Sequence, residues 1–141
     1  MKNLTVFLVD DHKLFREGLR LLIENILKVH DIHEASNGQQ FLEMLGNVRP
    51  DLVFMDIDMP VMDGIRATEL ALSKIPDLNI IALSMYGDED YYTRMMKAGV
   101  KGFILKNSGI VEVERAIEHV TAGKNYFSQE ILSGLLQTMT I

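Results

Sequence analysis

The chain has 141 residues, enough for one domain with a single sizeable core. A hydrophobic fraction of 48% counts against disorder, and no apolar stretch approaches the roughly 20 residues of a membrane span. Fourteen Lys and Arg against 20 Asp and Glu give a formal net charge of −6, which disfavours direct contact with nucleic acid, and without cysteine there is neither a disulfide framework nor a thiolate metal site.

In chain order, Leu4 to Val9 is a continuous apolar run, as expected of a strand buried on both faces. Its early polar break at Asp10 makes it a poor signal peptide, and the expected compartment is the cytoplasm. Leu14, Gly18, Leu21, Leu22 and Ile26 then recur near helical spacing. Ile32 to Ser36 reads as a second, less apolar strand nearer an edge. Phe41, Leu42 and Leu45 suit a short helix ending by Gly46. Asp51 to Asp56 is the third strand, and Gly64 to Ile75 a helix stopped by Pro76. Asn79 to Ser84, Asp88 to Ala98, Lys101 to Leu105 and Val111 to Ala122 continue the alternation, with Gly99 and Gly123 as helix stops. Residues 124–141 form a tail in which Ser128 is a plausible N-cap for an amphipathic sixth helix bearing Ile131, Leu132, Leu135, Leu136 and Met139.

Strands alternating with helices at this spacing predict right-handed βαβ units and a parallel sheet. All strand ends then lie along one edge, where open α/β sheets place ligands. Asp10 and Asp11 close the first apolar run, Asp56 the third, Ser84 the fourth and Lys106 the fifth. Mg²⁺ prefers oxygen ligands, and gathered carboxylates repel one another unless a cation relieves them. A carboxylate also serves as a covalent phosphoryl acceptor, with a hydroxyl and an ammonium to stabilise phosphoryl oxygens.

Four segments carry a resemblance: Val9-Asp10-Asp11-His12, Asp56-Ile57-Asp58-Met59-Pro60 with Met62-Asp63-Gly64, Leu83-Ser84, and Gly102-Phe103-Ile104-Leu105-Lys106. Together, in register across residues 4 to 122, they resemble the receiver domain of bacterial two-component response regulators. The resemblance implies an α/β, flavodoxin-like (βα)5 fold, a doubly wound parallel five-stranded sheet of order 2-1-3-4-5, here with an extra C-terminal helix. It implies that Asp56 is the phosphoacceptor, that Asp10, Asp11, Asp56 and the backbone carbonyl of Asp58 hold Mg²⁺, and that Lys106 pairs with the phosphate. Ser84 and Phe103 match the switch pair. A histidine kinase is the implied donor, and the protein is a signalling receiver rather than an enzyme acting on external substrates.

The segment Asp11-His12-Lys13-Leu14-Phe15-Arg16-Glu17-Gly18-Leu19 resembles the NarL/FixJ (LuxR-type) group. Residues 1–123 are then the receiver, and 124–141 a C-terminal helix or the start of a linker to an absent helix-turn-helix domain. A fragment is favoured over a stand-alone receiver. DNA would be reached only through that missing domain, the output being transcription, with no membrane partner. Readout is expected on the face of helix four, strand five and helix five, or through a helix one–helix five homodimer on phosphorylation. Asn107 follows the lysine where many receivers carry proline, which predicts a trans Lys106–Asn107 bond. Phe103 lacks the hydroxyl of the commoner tyrosine.

Blander readings stand beside these. Asp10 and Asp11 also suit a helix N-cap, and Asp58 a solvent-facing loop position. His12 reads as a helix-start residue outside the metal ligands, and His30, His33 and His119 as surface residues. Tyr91 and Tyr92 read equally as partner contacts or ordinary helix-surface residues. Most of the nine methionines, Met55 included, suit the core. Asp56-Ile57-Asp58 is also the nucleophile pattern of haloacid-dehalogenase-type phosphatases, but there it follows the first strand. A degenerate receiver would lack the full polar set, and a flavodoxin-like cofactor binder would carry a Ser/Thr/Gly-rich loop where Asp10-Asp11-His12 stands.

Overall fold

The computed structural model describes residues 4–26, 29–85 and 89–139, with only the backbone of His30, Thr138 and Met139. The expected surface position of His30 and the expected helix start at Asp88 fall outside what is described. Twelve elements alternate among the described residues: β1 (Leu4–Val9), α1 (Lys13–Glu24), β2 (Val29–Ala35), α2 (Gly38–Met44), β3 (Leu52–Asp56), α3 (Gly64–Lys74), β4 (Ile80–Ser84), α4 (Glu89–Ala98), β5 (Gly102–Leu105), α5 (Ile110–Thr121), β6 (Tyr126–Phe127) and α6 (Gln129–Met139). The strands form one parallel sheet in the order β2-β1-β3-β4-β5-β6. This is the flavodoxin-like architecture expected from the sequence, extended by one strand.

The continuous apolar runs become central strands because both of their faces are covered. Phe7, Val9, Val53, Met55, Ile80, Ala82, Phe103 and Leu105 face α2, α3, α4 and α6, together with Phe41, Ile65, Met95 and Ile131. The alternate residues, Leu8, Phe54, Ile81, Leu83 and Ile104, meet α1 and α5 through Leu19, Ile23, Ile117 and Val120. β2 lies at the edge, as its weaker apolar character suggested, but it begins at Val29, three residues before the expected Ile32. Gly99 (φ +109°) and Gly123 (φ +84°) end α4 and α5 in the left-handed conformation that glycine adopts without steric cost.

The tail departs most from expectation. Tyr126 N–H donates to Lys101 O at 3.0 Å and Ser128 N–H to Phe103 O at 3.0 Å, so the chain adds a sixth strand before its last helix. Ser128 is buried at the start of α6, where its Oγ accepts from Ile131 N–H at 3.4 Å. α6 packs on α4 and β5, burying Ile131 and leaving Leu132 and Leu136 exposed. No helix among the described residues is long and apolar enough to cross a membrane.

Tyr92 is not a helix-surface residue. It is 2% exposed and meets Phe103 edge-on, with ring centroids 5.2 Å apart. Tyr91, one position earlier, remains exposed beneath the guanidinium of Arg94. His33 is likewise no bare surface residue: it stacks on Phe7 at 5.3 Å and pairs with Asp31 at 2.9 Å. His119 is exposed, as expected, with its Nδ1 2.7 Å from Arg115 O.

Candidate functional site

Between β1 and β3 the strand order reverses, since β2 lies on one side of β1 and β3 on the other. The crevice beyond the C-terminal ends of such a strand pair is the expected ligand position. Asp10 and Asp11 follow β1 there, and Asp56 is the last residue of β3. Asp10 continues the ladder through its N–H to Ala35 O, and its Oδ1 accepts from His12 N–H at 2.8 Å. That turn starts α1 at Lys13, so the cap position falls to His12, not to either aspartate, and His12 makes no side-chain cap bond.

Lys106 leaves β5 held by its own N–H to Ser84 O at 2.9 Å. Its stem crosses the face of Phe15, with Nζ 4.8 Å from the ring centroid. The ammonium is 5% exposed, not solvated, and stands 2.8 Å from Asp10 Oδ2 and 3.3 Å from Asp56 Oδ2. The Lys106–Asn107 bond is trans, as expected. The sheet thus brings Asp10, Asp11, Asp56 and Lys106 to one pocket. Ser84 is fully buried at the end of β4, and its Oγ donates to Met85 O at 2.9 Å. Phe103, fully buried on β5, is turned inward against Tyr92. The Asp58 side chain is exposed, as expected.

Of three buried carboxylate oxygens, Asp10 Oδ2 and Asp56 Oδ2 meet the Lys106 ammonium and Asp11 Oδ1 makes no hydrogen bond. The Lys106 charge lies near two of them, but one ammonium does not balance three acids. Burial, then the charge of Asp10, push the Asp56 carboxyl up to about 7, against the opposing pull of Lys106. Hard oxygen donors that are buried, crowded and short of positive charge fit a divalent cation.

Three features escaped the sequence reading. His12 places Nδ1 3.1 Å from Asp10 Oδ1, 3.5 Å from Asp11 Oδ1 and 3.9 Å from Asp56 Oδ2, inside the cluster rather than outside it. Arg16 donates from Nη1 to the Asp10 carbonyl, while its Nε is held by Glu34 at 2.7 Å. Glu34 also takes Arg20 Nη1 at 2.8 Å. Burial raises the Glu34 carboxyl, but the two arginines outweigh it and bring it below its usual value. The third is Gly64, whose N–H donates to Ile57 O at 2.8 Å. A Cβ there would stand 1.9 Å from Asp56 O. The Arg/Glu pattern and the glycine were visible in the sequence, but their cross-element contacts were not.

Residues 6–118 match the model of the response regulator receiver domain. Response regulator GacA of Pseudomonas viridiflava is 33% identical over 130 residues, covering 92% of this chain and 61% of GacA. Response regulator UvrY of Escherichia coli is 33% identical over 128 residues, covering 91% of this chain and 59% of UvrY. The chain thus spans about three fifths of the length of these curated relatives. A LuxR-family two-component response regulator from Aurantimonas sp. SI85-9A1 superposes with a TM-score of 0.90 at 28% identity, over 99% of this chain and all of that one. ChrA, a response regulator of a heme-sensing two-component system, superposes with a TM-score of 0.81 at 27% identity, over all of this chain and 68% of that one. With the family match spanning all five βα units and the acids gathered where β1 and β3 part, the chain belongs to the response regulator receiver domain family.

Proposed function

We propose that this receiver takes a phosphoryl group from the phosphohistidine of a histidine kinase onto Asp56 and relays the change to a transcriptional output. The observation that carries this reading is the Lys106 ammonium lodged between Asp10 and Asp56 at 2.8 and 3.3 Å. In the transfer an Asp56 oxygen attacks phosphorus. The O–P bond forms, the P–N bond breaks, and its electron pair stays on the imidazole nitrogen. Asp10, Asp11, Asp56 and the Asp58 carbonyl would hold Mg²⁺, which would neutralise charge on the phosphoryl oxygens. Lys106 adds a second positive charge beside the acceptor. Ser84 turns its hydroxyl from Met85 O toward the new phosphoryl oxygens, and Phe103 follows it. The result is a shift in a two-state equilibrium, with the protein acting in the cytoplasm as a switch.

Output would pass through the α4–β5–α5 face or an α1–α5 homodimer, with DNA contact made by a helix-turn-helix domain outside this sequence. Similarity to the transcriptional regulatory protein DegU of Brevibacillus brevis, 28% identical over 135 residues, supports a transcriptional output. The test is intact-mass spectrometry after acetyl phosphate and Mg²⁺. One added phosphoryl is expected, absent in Asp56→Asn and diminished in Lys106→Ala. Undiminished labelling of Asp56→Asn would place the acceptor elsewhere.

A further inference from the structure

His12 occupies a position that the helix does not require of it. It starts α1 without capping it, its side chain is 58% exposed, yet its ring turns inward to the acids. The Lys106 ammonium approaches Nδ1 at 3.0 Å. An ammonium only donates, whereas Asp10 Oδ1, 3.1 Å from the same nitrogen, only accepts; with the ring proton on Nε2, Nδ1 offers its lone pair to a cation. In that form Nδ1 is one more acceptor in a group of carboxylate oxygens for which, among the described residues, Lys106 is the one cationic side chain within hydrogen-bond distance, and Asp11 Oδ1 finds no hydrogen bond.

The spacing suits one ion. Octahedral ligands about 2.1 Å from a metal stand about 3.0 Å from their neighbours and about 4.2 Å from the ligand opposite. From Nδ1 to the three carboxylates the separations are 3.1, 3.5 and 3.9 Å, one near the neighbour spacing and two between the neighbour and opposite spacings, so shifts of several tenths of an ångström would bring these atoms around one ion. One donor atom from each of Asp10, Asp11, His12 and Asp56 falls within 4.8 Å of every other.

We infer that His12 is a nitrogen donor to the divalent cation held by Asp10, Asp11 and Asp56, so that this site favours Ni²⁺ and Co²⁺ over Mg²⁺ more strongly than oxygen ligands alone would. Imidazole suits later first-row ions, whereas Mg²⁺ gains little by exchanging water for nitrogen. The inference rests on the metal-binding reading above.

The test uses the full chain, with calorimetric titration of Ni²⁺ and of Mg²⁺ and pulsed electron paramagnetic resonance of bound Mn²⁺. The wild type should show ¹⁴N coupling from an imidazole, lost in both His12→Ala and His12→Gln. His12→Ala should weaken Ni²⁺ by about tenfold or more and Mg²⁺ by less than about threefold. Two results overturn the inference and leave the receiver site intact: ions that need Asp11 but show no nitrogen coupling, or equal weakening of Ni²⁺ and Mg²⁺ in His12→Ala. Failure of the wild type to bind any of the three ions would overturn the metal-binding reading itself.

Discussion

Gly134 on α6 lies so close to Tyr92 on α4 that a Cβ would stand 2.6 Å from ring atom Cε2. The opposite side of that contact chain is Phe103, 5.2 Å from Tyr92 between centroids. A methyl added at position 134 must push the ring toward Phe103 or lift the helix. Gly134→Ala should therefore cost about 1–3 kcal/mol in urea unfolding, despite alanine's better helix propensity. Faster amide exchange over residues 129–139 would locate the loss in α6; a more stable variant would contradict the close packing.

Gly64→Ala should be more damaging. The added Cβ would meet Asp56 O at 1.9 Å and the Ile57 Cα at 2.9 Å, and both partners are backbone. The expected outcome is a fall in melting temperature together with loss of acetyl phosphate labelling, because the displaced segment carries Asp56, the proposed acceptor. Retained labelling with normal melting would show that the turn yields easily.

The raised Asp56 carboxyl makes the metal-free domain pH-sensitive in a defined direction. Unfolded, the group titrates near 3.8; folded, at about 7. Between those values the folded state holds a proton that the unfolded state has released, so stability falls as pH rises, by at most ~1.4 kcal/mol per pH unit. Chemical denaturation from pH 4.5 to 7.5 should show this slope, and Asp56→Asn should flatten it. Mg²⁺ should offset the loss at the alkaline end.

Lys106→Met keeps an apolar stem against Phe15 but removes the ammonium from between Asp10 and Asp56. Metal-free stability at pH 8 should drop by about 3 kcal/mol, the scale of breaking a buried ion pair. Mg²⁺ affinity should rise, since a competing positive charge is gone, while phosphoryl labelling falls. Calorimetry and intact-mass spectrometry read the two effects separately.

The central sheet was legible because its strands are covered on both faces, and a strand so placed reads as an unbroken apolar run such as Leu52-Val53-Phe54-Met55. The strand-end acids and Lys106 followed from that alone. β6 was not legible: Tyr126 and Phe127 are two residues among polar neighbours, ordered by pairing with β5 rather than by their own pattern. Tyr92 was ambiguous because α6, which helps to bury it, is contributed from far along the chain. His12 does stand at the helix start, as expected, but that sequence position carries no sign of which way the ring will turn.

His12 and Lys106 touch across a separation of 94 residues. They meet only after β1, β3, β4 and β5 have taken their places side by side. A nascent or partly unfolded chain therefore displays scattered acids with no common focus, and cation capture at the proposed site would report that the last central strand has docked. Ion affinity followed during refolding would thus time the completion of the sheet.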